Sequence, residues 1–222
     1  MLIDYQKCAK IFYSLYDYYP RNLVHIGAHL AEEAASYSSN HVQRVLWVEA
    51  NSALIVPLCE AARVYNMQQQ VLNTALWHSE ETRQFNVANN GQSSSLYNLK
   101  THSEHYPNIK VEEQVTVQTM RFDRIIERSG DQLIMKEFDF VNIDTQGSEL
   151  GILMGFGNEL SQSRLKALYL EVNNEELYEG IPLVGDIDVF LKQYDFHRVT
   201  TVWTKYGWGD ALYIRNNIHI CE

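Results

Sequence analysis

Apolar residues along this chain switch repeatedly between the helical and the strand period. Leu2, Ile11, Leu15 and Tyr18 recur at roughly helical spacing and predict an amphipathic helix over residues 2–19, ended by Pro20. Leu23 to Ile26 is a short apolar run, stopped by Gly27, and small and apolar residues from Ala28 to Tyr37 return to helical spacing. Val45–Glu49 (VLWVE) reads as a buried strand ending in an acid. Asn51 or Ser52 can cap a helix running to about Asn66, and Gln70–Trp77 (QVLNTALW) reads as a third strand. This β-α-β-α-β beginning implies parallel strands joined by right-handed crossovers.

Residues 83–118 break that rhythm. RQFNVA (83–88) and VEEQVTVQT (111–119) alternate and predict antiparallel partners. The polar stretch Asn89–Lys110 between them, with His102 and His105, reads either as a lid over an active site or as a flexible loop. Phe122–Ser129 predicts a short helix and Phe138–Asp144 a fourth parallel strand, again ending in an acid. A helix from Ser148 to about Leu160, a fifth strand Ala167–Val172 and a helix Val184–Tyr194 follow. Phe196–Thr204 and Asp210–Arg215, around the turn Lys205–Gly209, predict a closing antiparallel hairpin. No internal repeat or second domain is evident. Residues 1–222 read as a single α/β domain with an N-terminal helix (1–20) and an inserted hairpin and lid (83–119).

Composition narrows the partners. Eighteen basic against 28 acidic residues give a net charge of −10, which argues against nucleic acid and against an anionic membrane. Cys8, Cys59 and Cys221 are far apart and form no CxxC pair, as expected of free thiols in a reducing compartment. No cationic, apolar leader and no bilayer-length apolar run is present, so a soluble, cytoplasmic protein is expected.

In open α/β sheets, ligands bind beyond the carboxyl ends of the strands. That rule selects Gly27, Glu49, Thr74–Ala75, Asp144 and Glu171. Glu49, twenty-two residues after Gly27, stands where a carboxylate can accept both hydroxyls of a ribose. A dinucleotide fingerprint needs GxGxxG, yet Gly27-Ala28-His29-Leu30-Ala31-Glu32 lacks the second and third glycines. Glu32 and Glu33 also stand where a diphosphate would lie. A phosphate-free sulfonium nucleotide, S-adenosylmethionine, fits these acids better than NAD.

Taken in order, HIGAHLAEEA (25–34), VLWVEAN (45–51), FNVANNGQSSSL (85–96), VNIDTQGSELGILMGF (141–156), LYLEVNNEELYEG (168–180) and GDALYIR (209–215) resemble the FkbM-type S-adenosylmethionine-dependent methyltransferases. The resemblance runs from about Asn22 to Arg215. It implies a class I methyltransferase (Rossmann-like) three-layer α/β fold, with a seven-stranded, mostly parallel sheet whose last strand is antiparallel. It also implies O-methylation of a hydroxyl on a sugar or small natural product such as a polyketide. By position, Gly27, Ala28 and His29 would follow the methionine part of the cofactor. Glu49, with Ala50 and Asn51, would hold the ribose. Thr74 and Ala75 would flank the adenine together with Ser94 and Ser95. Asp144 would lie beside the transferred methyl. Ala31 stands where the family commonly has glycine.

A hydroxyl acceptor must lose its proton, so a base is useful, and Asp144 is the first candidate; holding the cofactor amine is its other reading. Gln146 shapes this turn or bonds the ligand, Gly147 frees it, and Glu149 favours the N-terminus of the next helix. Glu171 can orient acceptor hydroxyls. His29 is a second base candidate, whereas His25 alternates inside a buried strand as a satisfied core residue. Tyr178–Pro182 and the aromatic pair Trp203 and Trp208 are candidate acceptor contacts. The histidines show no ligand spacing, so no metal is expected. The competing readings are an NAD-type oxidoreductase and a catalytically silent nucleotide-binding module.

Overall fold

The computed structural model describes residues 1–133 and 137–216; Cys221 lies outside them. In chain order the elements are α1 (Tyr5–Tyr16), β1 (Asn22–Ile26), α2 (Ala34–Ser39), β2 (Arg44–Glu49), α3 (Ile55–Ala62), β3 (Gln68–Asn73), β4 (Ala75–Leu76), β5 (Thr82–Ala88), α4 (His102–His105) and β6 (Val111–Met120). They continue with α5 (Phe122–Ser129), β7 (Phe140–Ile143), α6 (Glu149–Gly155), β8 (Ala167–Asn173), α7 (Val184–Lys192), β9 (Phe196–Trp203) and β10 (Trp208–Arg215).

Seven strands form the main sheet in the order β3-β2-β1-β7-β8-β10-β9. The β1–β2, β2–β3, β1–β7 and β7–β8 pairs are parallel, and β10 runs antiparallel to both β8 and β9. The closing hairpin is therefore present, with its last strand inserted inside the sheet. Strand order reverses at β1/β7, the switch point where α/β sheets open a crevice.

Alternation of side chains splits the core into two layers. One face buries Val24, Ile26, Val141 and Ile143 with Phe122 of α5 and Ile152 of α6. The other buries Leu23, Trp47 and Phe140 with Phe12 of α1 and Tyr37 of α2. All of β8 is buried, as expected of a strand covered on both faces. Among the described residues, no helix is long and apolar enough to cross a membrane.

The helices predicted to run to about Asn66 and Leu160 end earlier, at Ala62 and Gly155, and three further elements depart from the sequence pattern. The N-terminal helix is shorter than predicted: Asp4 caps its start by accepting from Gln6 N at 3.1 Å, and Asp17, left-handed at φ 59°, ends it ahead of Pro20. Its buried face is Tyr5, Cys8, Ala9 and Phe12, while Leu15 is exposed. Helix α2 starts at Ala34, not at Ala28. Residues 28–33 form tight turns in which His29 (φ 43°) and Ala31 (φ 56°) are left-handed, a conformation that a helix cannot incorporate. Glycine reaches this region without strain, whereas Ala31 adopts it at a conformational cost. The third predicted strand breaks at Thr74, whose N–H donates to Glu49 O at 3.0 Å. Ala75–Leu76 then leaves for a small sheet of order β4-β6-β5, in which β5 and β6 form the expected antiparallel pair.

Gly27 is the tightest point of the frame. A Cβ there would lie 1.8 Å from the carbonyl oxygen of Asp144, and its φ of 82° is left-handed. Gly27→Ala is expected to destabilise the chain by about 3 kcal/mol or more, through overpacking and backbone strain together. Urea unfolding measures this, and a loss below about 1 kcal/mol would show that the two strand ends can part.

Candidate active site

The crevice at the β1/β7 switch holds a cavity with an apolar interior that includes Ile26, Val48, Leu76, Phe85 and Ile152. A wider chamber adjoins it. Gly27, His29, Gln92, Asp144 and Gln146 line both and so form the passage between them.

Glu49, at the end of β2, is buried, and each oxygen of its carboxylate accepts one backbone N–H. Oε2 accepts from His29 N at 2.9 Å and Oε1 from Asn51 N at 2.8 Å. Burial raises its pKa, and these two N–H groups work against that shift. The same bond to His29 bends residues 28–33 away from helix. His29 Nδ1 then meets Glu32 Oε1 at 2.6 Å, a pairing that raises the His29 pKa. Burial pushes Glu32 up, but the bond from His29, the His29 charge and backbone N–H groups together outweigh it and leave that carboxyl at about 2.

The turn after β7 is built by two side chains. Glu149, buried at the start of α6, folds back instead of serving its own helix. Its carboxyl accepts from Thr145 N at 2.8 Å, Thr145 Oγ1 at 3.0 Å and Gly147 N at 3.0 Å. Gln146 sits at φ 58° and Gly147 at φ 104°. Gln146 Nε2 donates to Asp144 Oδ1 at 2.9 Å and to Glu171 Oε2, and Gln146 Oε1 accepts from Tyr178 Oη at 2.9 Å. Ser95 Oγ donates to Gln146 O at 2.7 Å. One glutamine thus ties β7, β8, the segment after β8 and the loop after β5 together.

The wider chamber is lined by five carboxyl side chains, Glu32, Glu33, Asp144, Glu171 and Asp210, and among its described lining residues there is no lysine or arginine. Glu171 and Asp210 stand opposite each other on β8 and β10. Asp210 accepts from Tyr169 Oη and from Leu2 N, and the Met1 ammonium stands 3.5 Å from Glu33. The roof is aromatic: Trp208 Nε1 donates to Tyr106 Oη at 3.0 Å, beside buried His102.

The residues singled out in the sequence divide accordingly. Gly27, His29, Glu49, Ala50, Thr74, Ala75, Ser94, Asp144 and Gln146 line the first cavity, and Glu171 and Trp208 line the second. Ala28 is buried in the core, Asn51 caps the turn after β2, and Ser95 and Tyr178 act from behind the walls through Gln146. Trp203 is 37% exposed on the edge strand β9 and lies outside both cavities. The loop 89–110 is ordered, with bridges Asn86–Ser95 and Leu99–Tyr178, and its Gly91, Gln92 and Ser94 reach the first cavity. His25 is satisfied through Nδ1, 3.1 Å from Tyr37 Oη, but it also lines the chamber.

Sequence reading missed Ser148, Asp210 and His102. The Ser148 and His102 side chains line the two cavities, and Ser148 Oγ and His102 Nδ1 are buried without a hydrogen-bond partner. The one available signal was a second acid at the start of the last strand, Asp210 in GDALYIR, which faces Glu171 across the β8–β10 pair. Among the described residues, no group of three or more His, Cys, Asp or Glu could hold a metal ion.

This sheet order, with an antiparallel strand inserted next to the last and a cavity at the switch point, defines a class I, Rossmann-like methyltransferase fold. The chain belongs to the methyltransferase FkbM domain family, which matches residues 25–198. No curated protein matches the sequence. Among solved structures, it is similar to magnesium protoporphyrin IX methyltransferase (ChlM) from Synechocystis PCC 6803 with bound SAM, at 10% identity and a TM-score of 0.50, covering 96% of this chain and 80% of that one. It is also similar to the methyltransferase domain of bacterial CtHen1-C, at 6% identity and a TM-score of 0.51, covering 96% and 97%. M. capricolum TrmK, in complex with S-adenosylhomocysteine, matches at 10% identity and a TM-score of 0.46; 89% of this chain is covered, but the chain spans only 62% of that one.

The carboxyl of Glu149 gives the turn a pH signature. Burial lifts its pKa from the ordinary 4.5 to about 7. Between those values the folded chain keeps a proton that the unfolded chain has released, so its contribution to stability falls as pH rises through that window. That fall is on the order of 3 kcal/mol, and Glu171, also raised, acts in the same direction. Urea unfolding from pH 4.5 to 8 is expected to show this decline, with a flatter slope in Glu149→Gln; an unchanged slope in the variant would remove Glu149 as its source.

Proposed function

We propose that this chain, as one methyltransferase domain, transfers the methyl group of S-adenosylmethionine to a hydroxyl of a small, neutral acceptor such as a sugar or polyketide. The observation that carries this reading is the carboxyl-lined chamber that opens onto the first cavity at Asp144 and Gln146. A chamber without lysine or arginine disfavours phosphorylated acceptors and nucleic acid.

The first cavity suits the cofactor. Its apolar interior, with Ala75 and Leu76 on one side, can take the adenine. Glu49 retains lone pairs for ribose hydroxyls after accepting its two backbone N–H groups. The unpartnered Ser148 hydroxyl is a buried polar group awaiting a partner inside the cavity. Gly27, His29 and Asp144 line the passage where the methionine end would run. When bound, the cofactor supplies a methyl on a positively charged sulfur that departs as a neutral thioether with the bonding electron pair. The protein's part is alignment of the acceptor oxygen and removal of its proton. Asp144, in the passage between the two cavities, is placed for the second task. Trp208 and Tyr106 offer ring faces to an acceptor's carbon skeleton.

Calorimetry with S-adenosylmethionine tests the cofactor site. Glu49→Gln is expected to weaken binding about tenfold or more, and Ser148→Ala about fivefold with little loss of stability. Unchanged affinity in both would contradict this placement. For the chemistry, formation of S-adenosylhomocysteine is followed with neutral polyols, their phosphorylated forms and phenols as acceptors. On an active acceptor, Asp144→Asn is expected to lower turnover about 100-fold or more while cofactor affinity stays within about threefold. Full turnover in that variant would exclude Asp144 as the base.

A further inference from the structure

Asp144 and Glu171 end neighbouring strands on one face of the sheet. Ile143 and Leu170 are in register across the parallel β7–β8 pair, so the residues that follow them stand side by side. A single nitrogen, Gln146 Nε2, donates to Oδ1 of Asp144 at 2.9 Å and to Oε2 of Glu171. At its other end, Gln146 Oε1 accepts from Tyr178 Oη at 2.9 Å, and Ser93 O lies 3.3 Å from the same hydroxyl, so the amide is engaged at both ends. Tyr178 is fully buried, and Gln146 is kept left-handed at φ 58° to reach this position. Two carboxyls are thus clamped to one donor, and Glu171 is only 3% exposed with Asp210 opposite it.

Two ionised carboxylates have only acceptors to offer each other, so such a pair is stable when it holds one proton. The environment favours placing that proton on Glu171. Burial, then the charges of Asp144 and Glu149, then a hydrogen bond with Asp144 itself, hold its carboxyl well above the ordinary range. The other titratable or charged groups around the pair are Asp210 from β10, Tyr178 from the segment after β8, His25 from β1 and the Met1 ammonium.

We propose that Asp144 and Glu171 work as one carboxyl pair holding a single proton, with Glu171 donating it as a hydrogen bond to the acceptor oxygen while Asp144 accepts that oxygen's own proton. The inference rests on reading the carboxyl-lined chamber as the acceptor site. As the new O–CH3 bond forms and the CH3–S bond breaks, its electron pair stays on sulfur and the hydroxyl proton ends on Asp144. The pair then carries two protons and returns one to solvent. The arrangement also selects the acceptor. A neutral hydroxyl presents a donor and an acceptor on one atom, as this pair requires. A protonated amine offers donors alone and a carboxylate acceptors alone, so both mismatch one half of the pair.

The test needs no acceptor. The full chain is labelled with 13C at the Asp and Glu side-chain carboxyls and titrated by NMR, with Glu171→Gln identifying the Glu171 signal by its loss. The expected result is a Glu171 carboxyl still protonated at pH 7. Asp144→Asn, which removes the neighbouring charge, lowers its midpoint by about one unit or more. Saturation with S-adenosylmethionine lowers it by a similar amount, and S-adenosylhomocysteine, which lacks the sulfonium charge, lowers it less. An ionised Glu171 at pH 7, a midpoint unmoved in Asp144→Asn, or equal responses to the two nucleotides would each overturn the proposal. If the asparagine variant does not fold, Asp144→Ala serves the same comparison, and the wild-type titration decides by itself whether Glu171 holds a proton. Calorimetry on the same samples separates the two readings: absence of S-adenosylmethionine binding defeats the cofactor assignment, while the titration of the free protein still judges the pair.

Discussion

Between the Gly27 backbone and the carbonyl of Asp144 there is no room even for a methyl group. The rest of the site follows from that constraint. With the ends of β1 and β7 pressed together, Gly27 N donates to Val48 O at 2.9 Å and Asp144 N to Ile26 O at 3.0 Å, so three strands finish at one level. The chain beyond each end must then turn sharply outward. On the β1 side it does so through left-handed His29 and Ala31, on the β7 side through left-handed Gln146 and Gly147. The crevice between these two departures is the first cavity. Strained backbone at both rims is maintained by buried carboxylates, Glu49 on one and Glu149 on the other, each accepting backbone N–H groups.

Carboxyls are the common building material of this site, and each is stabilised differently. Glu49 is surrounded by N–H donors. Glu32 is paired with His29. Asp210 takes a tyrosine hydroxyl and a backbone N–H. Asp144 and Glu171 share an amide and, by the proposal above, a proton. Burying several acids without arginine or lysine partners is costly unless each finds donors or stays neutral. With Glu171 protonated as proposed, both solutions are used, and the chamber is acidic in composition but only partly charged. That is the electrostatic setting a sulfonium nucleotide and a neutral hydroxyl would share.

The strands were legible because their apolar content is dense and their alternation regular: β1, β2, β7, β8 and the closing hairpin fall within a residue or two of expectation. Carboxyl-end residues were legible for the same reason, since locating a strand locates its end. What remained hidden depends on backbone that local pattern does not encode. Ala31 carries no mark of a left-handed conformation, so residues 28–33 read as the start of a helix. Glu149 looks like an ordinary acid in a first helical turn until the turn before it folds back onto its carboxylate. Trp203 and Trp208 are equivalent in sequence, but one lies on the edge strand and the other opens the strand beside β8. Only a three-dimensional register separates them.

The loop over the site shows why cofactor and acceptor are handled together. Its first part, Gly91 to Leu96, walls the first cavity, and its short helix carries His102 and Tyr106 into the chamber roof. The loop is fastened to the segment after β8 by Lys100 N and His102 N donating to Leu177 O at 2.8 and 3.1 Å, and by the pairs Lys100–Glu176 and His105–Glu175. Exposed pairs of this kind contribute only about 0–1 kcal/mol each. The backbone bonds to Leu177 therefore carry most of this fastening. That same segment supplies Tyr178, whose hydroxyl fixes Gln146 between Asp144 and Glu171. The loop that walls the first cavity is therefore fastened to the same segment that orients Asp144 and Glu171 through Gln146, so the two cavities share one set of contacts.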